Sequence, residues 1–192
     1  MPVYNPAIKN INIEQLKRYS GLTKNSDFPQ QLLEQACIEA HILCHPKAIW
    51  QLYDYRKASA AIISSEPFIF SSSAIKTHLA SSLKVAVVAI TIGPELEEQV
   101  RCHFKKDEYT RGLLLDAAGT TAIEMAADQV CEFIKQEVSI KGYTTLSRFS
   151  PGYGNWDIRV QPRLLSLSQG RKIEISCTPA CMLLLTNQLQ RL

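Results

Sequence analysis

Residues 148–156 read RFSPGYGNW, from Arg148 to Trp156. The chain holds eight glycines in 192 residues, yet two of them, Gly152 and Gly154, fall almost side by side here. Pro151 removes a donor and fixes φ, and glycine enters backbone conformations closed to other residues and lets a ligand approach main-chain N–H and C=O groups. Arg148 offers a planar fork of donors that matches a carboxylate. Tyr153 and Trp156 add flat apolar surface with a polar handle. On the residues alone, a ligand-contacting loop and a tight turn under an aromatic lid stand level.

Upstream, KVAVVAITI (residues 84–92) is rich in β-branched residues and apolar at both parities, which predicts a central, buried strand. Gly93-Pro94 ends it and opens a helix, PELEEQVRCHFKK, whose glutamates Glu95, Glu97 and Glu98 sit at its positive end. A long helix is expected over 107–138, with small residues AAGTTA at 117–122. Gly119 inside it implies that something approaches its backbone closely. Glu124 and Glu132 lie on partly apolar rows of that helix, where a carboxylate needs a cation or donors. The plainer account of both is a solvated edge or an internal salt bridge.

Nearer the N-terminus, Ile13–Tyr19 reads as a short helix ended by Gly21, and Pro29 to His45 as an amphipathic helix stopped before Pro46. AIWQLYDY and PFIF read as strands, SSSAIKTHLASS as a short helix, and RKIEIS as strand-like. Helices and strands mix without regular βα alternation, so the predicted class is α+β, one domain over residues 1–192.

A hydrophobic fraction of 46% with 20% charge is that of a globular protein with a sizeable core. The net charge of +3 carries no concentrated basic face, so nucleic acid is not an expected partner. The N-terminus shows no secretion signal, and apolar runs such as VAVVAITI are too short to span a bilayer, so the cytoplasm is the expected location and no membrane the expected partner. Six scattered cysteines read as reduced, mostly buried thiols. Cys37, His41 and Cys44 share a helix face with His45 beyond. A closed zinc site draws ligands from two elements, and no second pair exists, so no metal is expected there. Neither a GxSxG elbow nor a phosphate-binding glycine loop is present.

RFSPGYGNW, followed by Gln161, resembles the Arg-x-Ser-Pro-Gly-Tyr-Gly-Asp-Trp…Gln signature of the activation (reactivation) domain of cobalamin-dependent methionine synthase, and of stand-alone bacterial proteins of that family. TIGPELEEQV, LLLDAAGTTAIEMAAD and ISCTPACML are similar to further segments of it, so the likeness covers roughly residues 85–185. The resemblance implies a C-shaped α+β domain, mainly an antiparallel twisted sheet with packed helices, that binds S-adenosylmethionine. It implies a corrinoid-binding methionine synthase as partner, which presents the cobalamin, with S-adenosylmethionine giving the methyl group and a flavodoxin-like protein the electron. By the same resemblance, Arg148, Ser150, Gly152, Tyr153 and Glu132 are ligand-binding residues, and Glu124 joins them from the same helix. Asn155 stands where the family has Asp, and Leu185, Asn187 and Gln188 where it has Pro, Lys and Ser. Two other roles share this resemblance: a docking module for a corrinoid protein without S-adenosylmethionine binding, and an accessory to another corrinoid methyltransferase.

Overall fold

The computed structural model describes residues 3–22 and 27–185; positions 187 and 188 lie outside them. The protein is an α+β fold whose contacts gather into two compact units. One is built from Tyr4–Lys47 and Ile90–Glu137, the other chiefly from Ala48–Ala89 and the chain from Val138 onward.

The first unit is helical. Helix α1, Ile13–Tyr19, is capped by Asn12, whose side chain accepts from the Gln15 N–H at 3.1 Å. Helix α2 spans Gln30–Leu43, bounded by Pro29 and closed before Pro46, as the prolines require. The last two helices of the unit are Glu95–Lys105, numbered α4 in chain order, and Tyr109–Ser139, α5. The acidic first turn of α4 complements its exposed N–H groups. Leu16, Leu33, Leu115, Ala118, Ala122 and Ala126 form the centre of one core with Leu96. The small residues of α5 make that packing possible. A Cβ built on Gly119 would lie 2.6 Å from Leu96 Cδ2, so the close approach expected at this glycine is the α4 leucine.

The second unit carries the main sheet. Strands β1 (Lys47–Arg56), β2 (Ala61–Ile63), β3 (Phe68–Ile69) and β4 (Lys84–Thr91) lie in the order β3-β2-β1-β4. β1, β2 and β3 pair antiparallel, with Tyr55 opposite Ile62 and Ile62 opposite Phe68. At the ends of β1 and β4, Tyr55 N–H donates to Leu83 O at 2.9 Å and His45 N–H to Ile92 O at 2.7 Å, so these strands also run opposite ways.

Among the described residues β4 is the last strand in the order, not the central one expected. Its doubly apolar sequence has another cause. Val85 and Val87 enter the aromatic core of Phe70, Ile75, Trp156 and Leu167, and Ala89 packs with Ile49 and Leu165. Ile90, at the opposite parity, belongs to the core of the helical unit.

Helix α3 (Ser73–His78), helix α6 (Gln161–Ser168) and a hairpin of β5 (Ile175–Cys177) with β6 (Leu183–Leu185) complete this unit. The strand-like reading of RKIEIS holds only for its end. Gly170–Ile173 forms a 3-10 turn, and Glu174 takes the left-handed conformation at φ 64°, which breaks an extended run before Ile175. No helix among the described residues is long and apolar enough to cross a membrane.

Candidate functional site

The 148–156 segment of the sheet unit folds as two linked tight turns. Tyr153 N–H donates to Ser150 O at 3.2 Å, closing a four-residue turn with Pro151 and Gly152 at its centre. Gly152 has φ +93°, the value a type II turn demands at that position. Trp156 N–H then donates to Tyr153 O at 3.1 Å around Gly154, at φ +57°, and Gly152 N–H donates to Trp156 O at 2.7 Å. The sequence left a ligand-contacting loop and a tight turn level for these glycines. Their immediate role is the turn itself, because the Gly152 amide is engaged by Trp156. A Cβ on Gly152 would meet nothing within 4 Å, so conformation, not space, demands glycine there.

Side chains alternate about this backbone. Arg148, Ser150 and Tyr153 are exposed, and Tyr153 retains 65% of its accessible surface. Phe149 and Trp156 turn inward. Phe149 lies 5.9 Å from Trp156 and 5.1 Å from the His78 ring, and Trp156 lies 5.9 Å from Phe70. His78 Nε2 donates to Ser147 O at 2.8 Å, tying the start of the loop to α3. The Trp156 indole N–H and Gln161 Oε1, both within the signature, are buried and have no hydrogen-bond partner among the described residues. One is a donor and the other an acceptor.

Asn155 fastens the loop to α3. Its Oδ1 accepts from Ser72 Oγ at 2.5 Å and Ala74 N–H at 3.1 Å, and its Nδ2 donates to Ser73 Oγ at 2.8 Å. Ser72, the residue before the helix, makes no side-chain cap of its own. The Asn155 amide thus caps the helix from outside its own chain segment.

The other two predicted residues lie on α5, in the helical unit. Glu132 is solvent-exposed, with Lys135 Nζ at 3.1 Å and Gln136 Nε2 at 3.4 Å. The Lys135 hydrogen bond, then that of Gln136, holds its carboxyl below the usual range, so it is anionic at neutral pH. This is the solvated edge with a local ion pair, not a carboxylate sunk in an apolar row. Glu124 is half-buried two turns earlier, about 12 Å away along the axis by helical rise. Arg148, Ser150, Gly152 and Tyr153 therefore share one loop, and Glu124 and Glu132 share one helix.

His103 was not foreseen as a special residue. It is buried, with Nδ1 2.6 Å from Glu108 Oε2 and Nε2 3.1 Å from Glu39 Oε1. The only sequence signal is its five-residue spacing from Glu108; Glu39 comes from another helix. In the Cys37–His45 group, Cys44 is buried, and burial followed by the Glu95 charge pushes its thiol up to about 11. His41 and His45 are exposed. Among the described residues no cluster of three or more His, Cys, Asp or Glu side chains is placed to hold a metal ion.

No protein-family model matches the chain, and no curated protein does. Among solved structures it is similar to the crystal structure of the MetH reactivation domain bound to AdoHcy. The TM-score is 0.58 over 95% of this chain and 75% of that one, at 13% sequence identity. The likeness is one of fold: this chain has the α+β fold of a methionine synthase reactivation domain.

Proposed function

We propose that this protein binds S-adenosylmethionine and serves as the reactivation component of a corrinoid-dependent methionine synthase. One observation carries the reading. The RFSPGYGNW signature occupies an exposed, internally braced loop in a chain that shares its fold with the MetH reactivation domain bound to AdoHcy. The residues fit such a ligand chemically. Arg148 supplies a fork for its carboxylate, and Ser150 and the backbone around Gly152 supply polar groups for the adenosine portion. Tyr153 offers an exposed ring toward the corrin side. Glu132 and Glu124 are assigned to the cationic part of the ligand, and the anionic state of Glu132 suits that role.

Bound S-adenosylmethionine supplies a methyl group to a cobalamin presented by the partner protein, with a flavodoxin-like reductant supplying the electron. The chain's own contribution is binding and orientation. Calorimetry with S-adenosylmethionine tests the first half, and remethylation of cob(II)alamin on a corrinoid-binding methionine synthase, followed by its visible spectrum, tests the second. Heat without remethylation would move the protein to another corrinoid methyltransferase. No heat at millimolar ligand would overturn the reading and leave a docking module.

A further inference from the structure

Both chain neighbours of Arg148 are held by one side chain, that of His78, the last residue of α3. On one side, its Nε2 donates to Ser147 O at 2.8 Å. A carbonyl only accepts, so this bond places a proton on Nε2. On the other side, the imidazole lies 5.1 Å from the Phe149 ring, with the planes inclined by 35°. Phe149 in turn lies 5.9 Å from Trp156, which is buried. One half-buried ring therefore holds the residue before Arg148 through an atom and the residue after it through a face.

The backbone under Arg148 is thus set from outside its own segment. With Phe149 drawn into the aromatic core, Arg148 is left on the exposed side of the chain. An arginine fork recognises a carboxylate by direction as well as charge, so the place and heading of its Cα matter more than they would for a point charge. The other end of the loop is held by the same helix, through Asn155 and its bonds to Ser72, Ser73 and Ala74. Helix α3 holds the loop at both ends, and His78 is its contact on the Arg148 side.

We propose that His78 is a positioning residue for Arg148: it grips Ser147 and Phe149 so that the guanidinium fork is presented from a fixed point of the loop. That a ligand carboxylate meets this fork rests on the S-adenosylmethionine reading; the grip itself does not. Removing the imidazole takes away a hydrogen bond and a ring contact together, and residues 147–149 then sample other conformations. A ligand must select the competent one from that mixture, and its apparent affinity falls by the fraction that is competent.

Two measurements on the full chain test this, and the first needs no ligand. Native protein is treated with dilute trypsin, and cutting after Arg148 and after Lys141, an exposed site in the turn that follows α5, is timed by mass spectrometry. His78→Ala should speed the cut after Arg148 roughly tenfold, because local opening there no longer breaks either contact, and leave the cut after Lys141 unchanged. A general loss of stability would speed both. His78→Gln, whose amide N–H can still donate to Ser147 O, should restore most of the protection. The second measurement is calorimetry with S-adenosylmethionine, where His78→Ala should weaken binding roughly tenfold and His78→Gln by less. Equal cutting after Arg148 in wild type and His78→Ala, or faster cutting at both sites in step, would overturn the proposal. So would an unchanged affinity in His78→Ala where the wild type binds. If wild-type protein gives no heat, the S-adenosylmethionine reading fails by itself, and the cutting rates still decide the role of His78.

Discussion

His103 Nδ1 lies 2.6 Å from Glu108 Oε2 while its Nε2 lies 3.1 Å from Glu39 Oε1, so one buried imidazole joins α2, α4 and the residue preceding α5. Gln99 adds its side chain at 3.3 Å, and Arg111 approaches Glu108 at 3.7 Å. The Glu108 hydrogen bond outweighs burial and, with Glu39, raises His103 above its ordinary 6.5. The same bond, outweighing desolvation and joined by Arg111, lowers Glu108 below its ordinary 4.5.

Stability from the charged ring is therefore complete below pH 6.5 and declines as pH rises through its raised value; the Glu108 share is present above pH 4.5 and declines as pH falls. Denaturant unfolding followed against pH should peak between those limits. His103→Gln should flatten the alkaline limb. His103→Ala should cost about 2 kcal/mol through two lost charge-assisted bonds.

Gly119→Ala sets two effects against each other. Alanine gains about 1 kcal/mol of helix propensity over glycine. Its methyl, however, would sit 2.6 Å from Leu96 Cδ2, in a core where Leu96 is 3% exposed. Overpacking of that kind costs about 1 to 3 kcal/mol, so the variant should be less stable. Combining it with Leu96→Ala should destabilise by less than the sum of the two changes, measured as a double-mutant cycle.

Asn155 predicts a split between two substitutions. Asn155→Ala removes the external cap of α3 and should cost about 1 to 2 kcal/mol. Asn155→Asp keeps acceptors for Ser72 Oγ and Ala74 N–H, and the Ser73 hydroxyl can turn to donate. Its unfolding midpoint should stay within about 0.5 kcal/mol of wild type.

For S-adenosylmethionine, Arg148→Ala should weaken binding roughly ten- to hundredfold, the equivalent of about 1.5 to 3 kcal/mol. Arg148→Lys should recover only part, because a point charge cannot reproduce the fork. Glu132→Gln should weaken the cationic ligand while leaving α5 intact. Cys37→Ser is the control, and calorimetry should find its affinity unchanged.

Local punctuation made much of this molecule legible. Gly21 ends α1, Pro29 and Pro46 bracket α2, and Ser-Pro-Gly-Tyr fits the turn at 150–153, because caps and turns are decided by a few neighbouring residues. Gly119 announced close packing but not its partner. Less legible was anything set by distant pairing. A doubly apolar β4 reads as a central strand, and nothing in its residues shows that it is the last in the order among the described residues. His103 reads as a polar residue in HFKK until Glu39, 64 residues earlier in the chain, closes on it. The destination of the Gly152 amide, Trp156 O, was equally hidden, since a glycine's sequence context gives its freedom and not its partner.

The braced turns around Pro151 and Gly152 have a consequence for how this loop meets anything. Proline holds one torsion in place, Gly152 N–H and Tyr153 N–H are both engaged within the loop, and Asn155 anchors its far end to α3. Ordering a mobile loop costs about 1 to 2 kcal/mol per residue of backbone entropy, and here folding has already met that cost. A ligand or protein surface arriving at Arg148 and Tyr153 has only exposed side chains left to immobilise. On the proposed function, recognition at this loop would be that of a rigid edge: the shape is set before the encounter, and complexes would differ mainly in how fast they come apart.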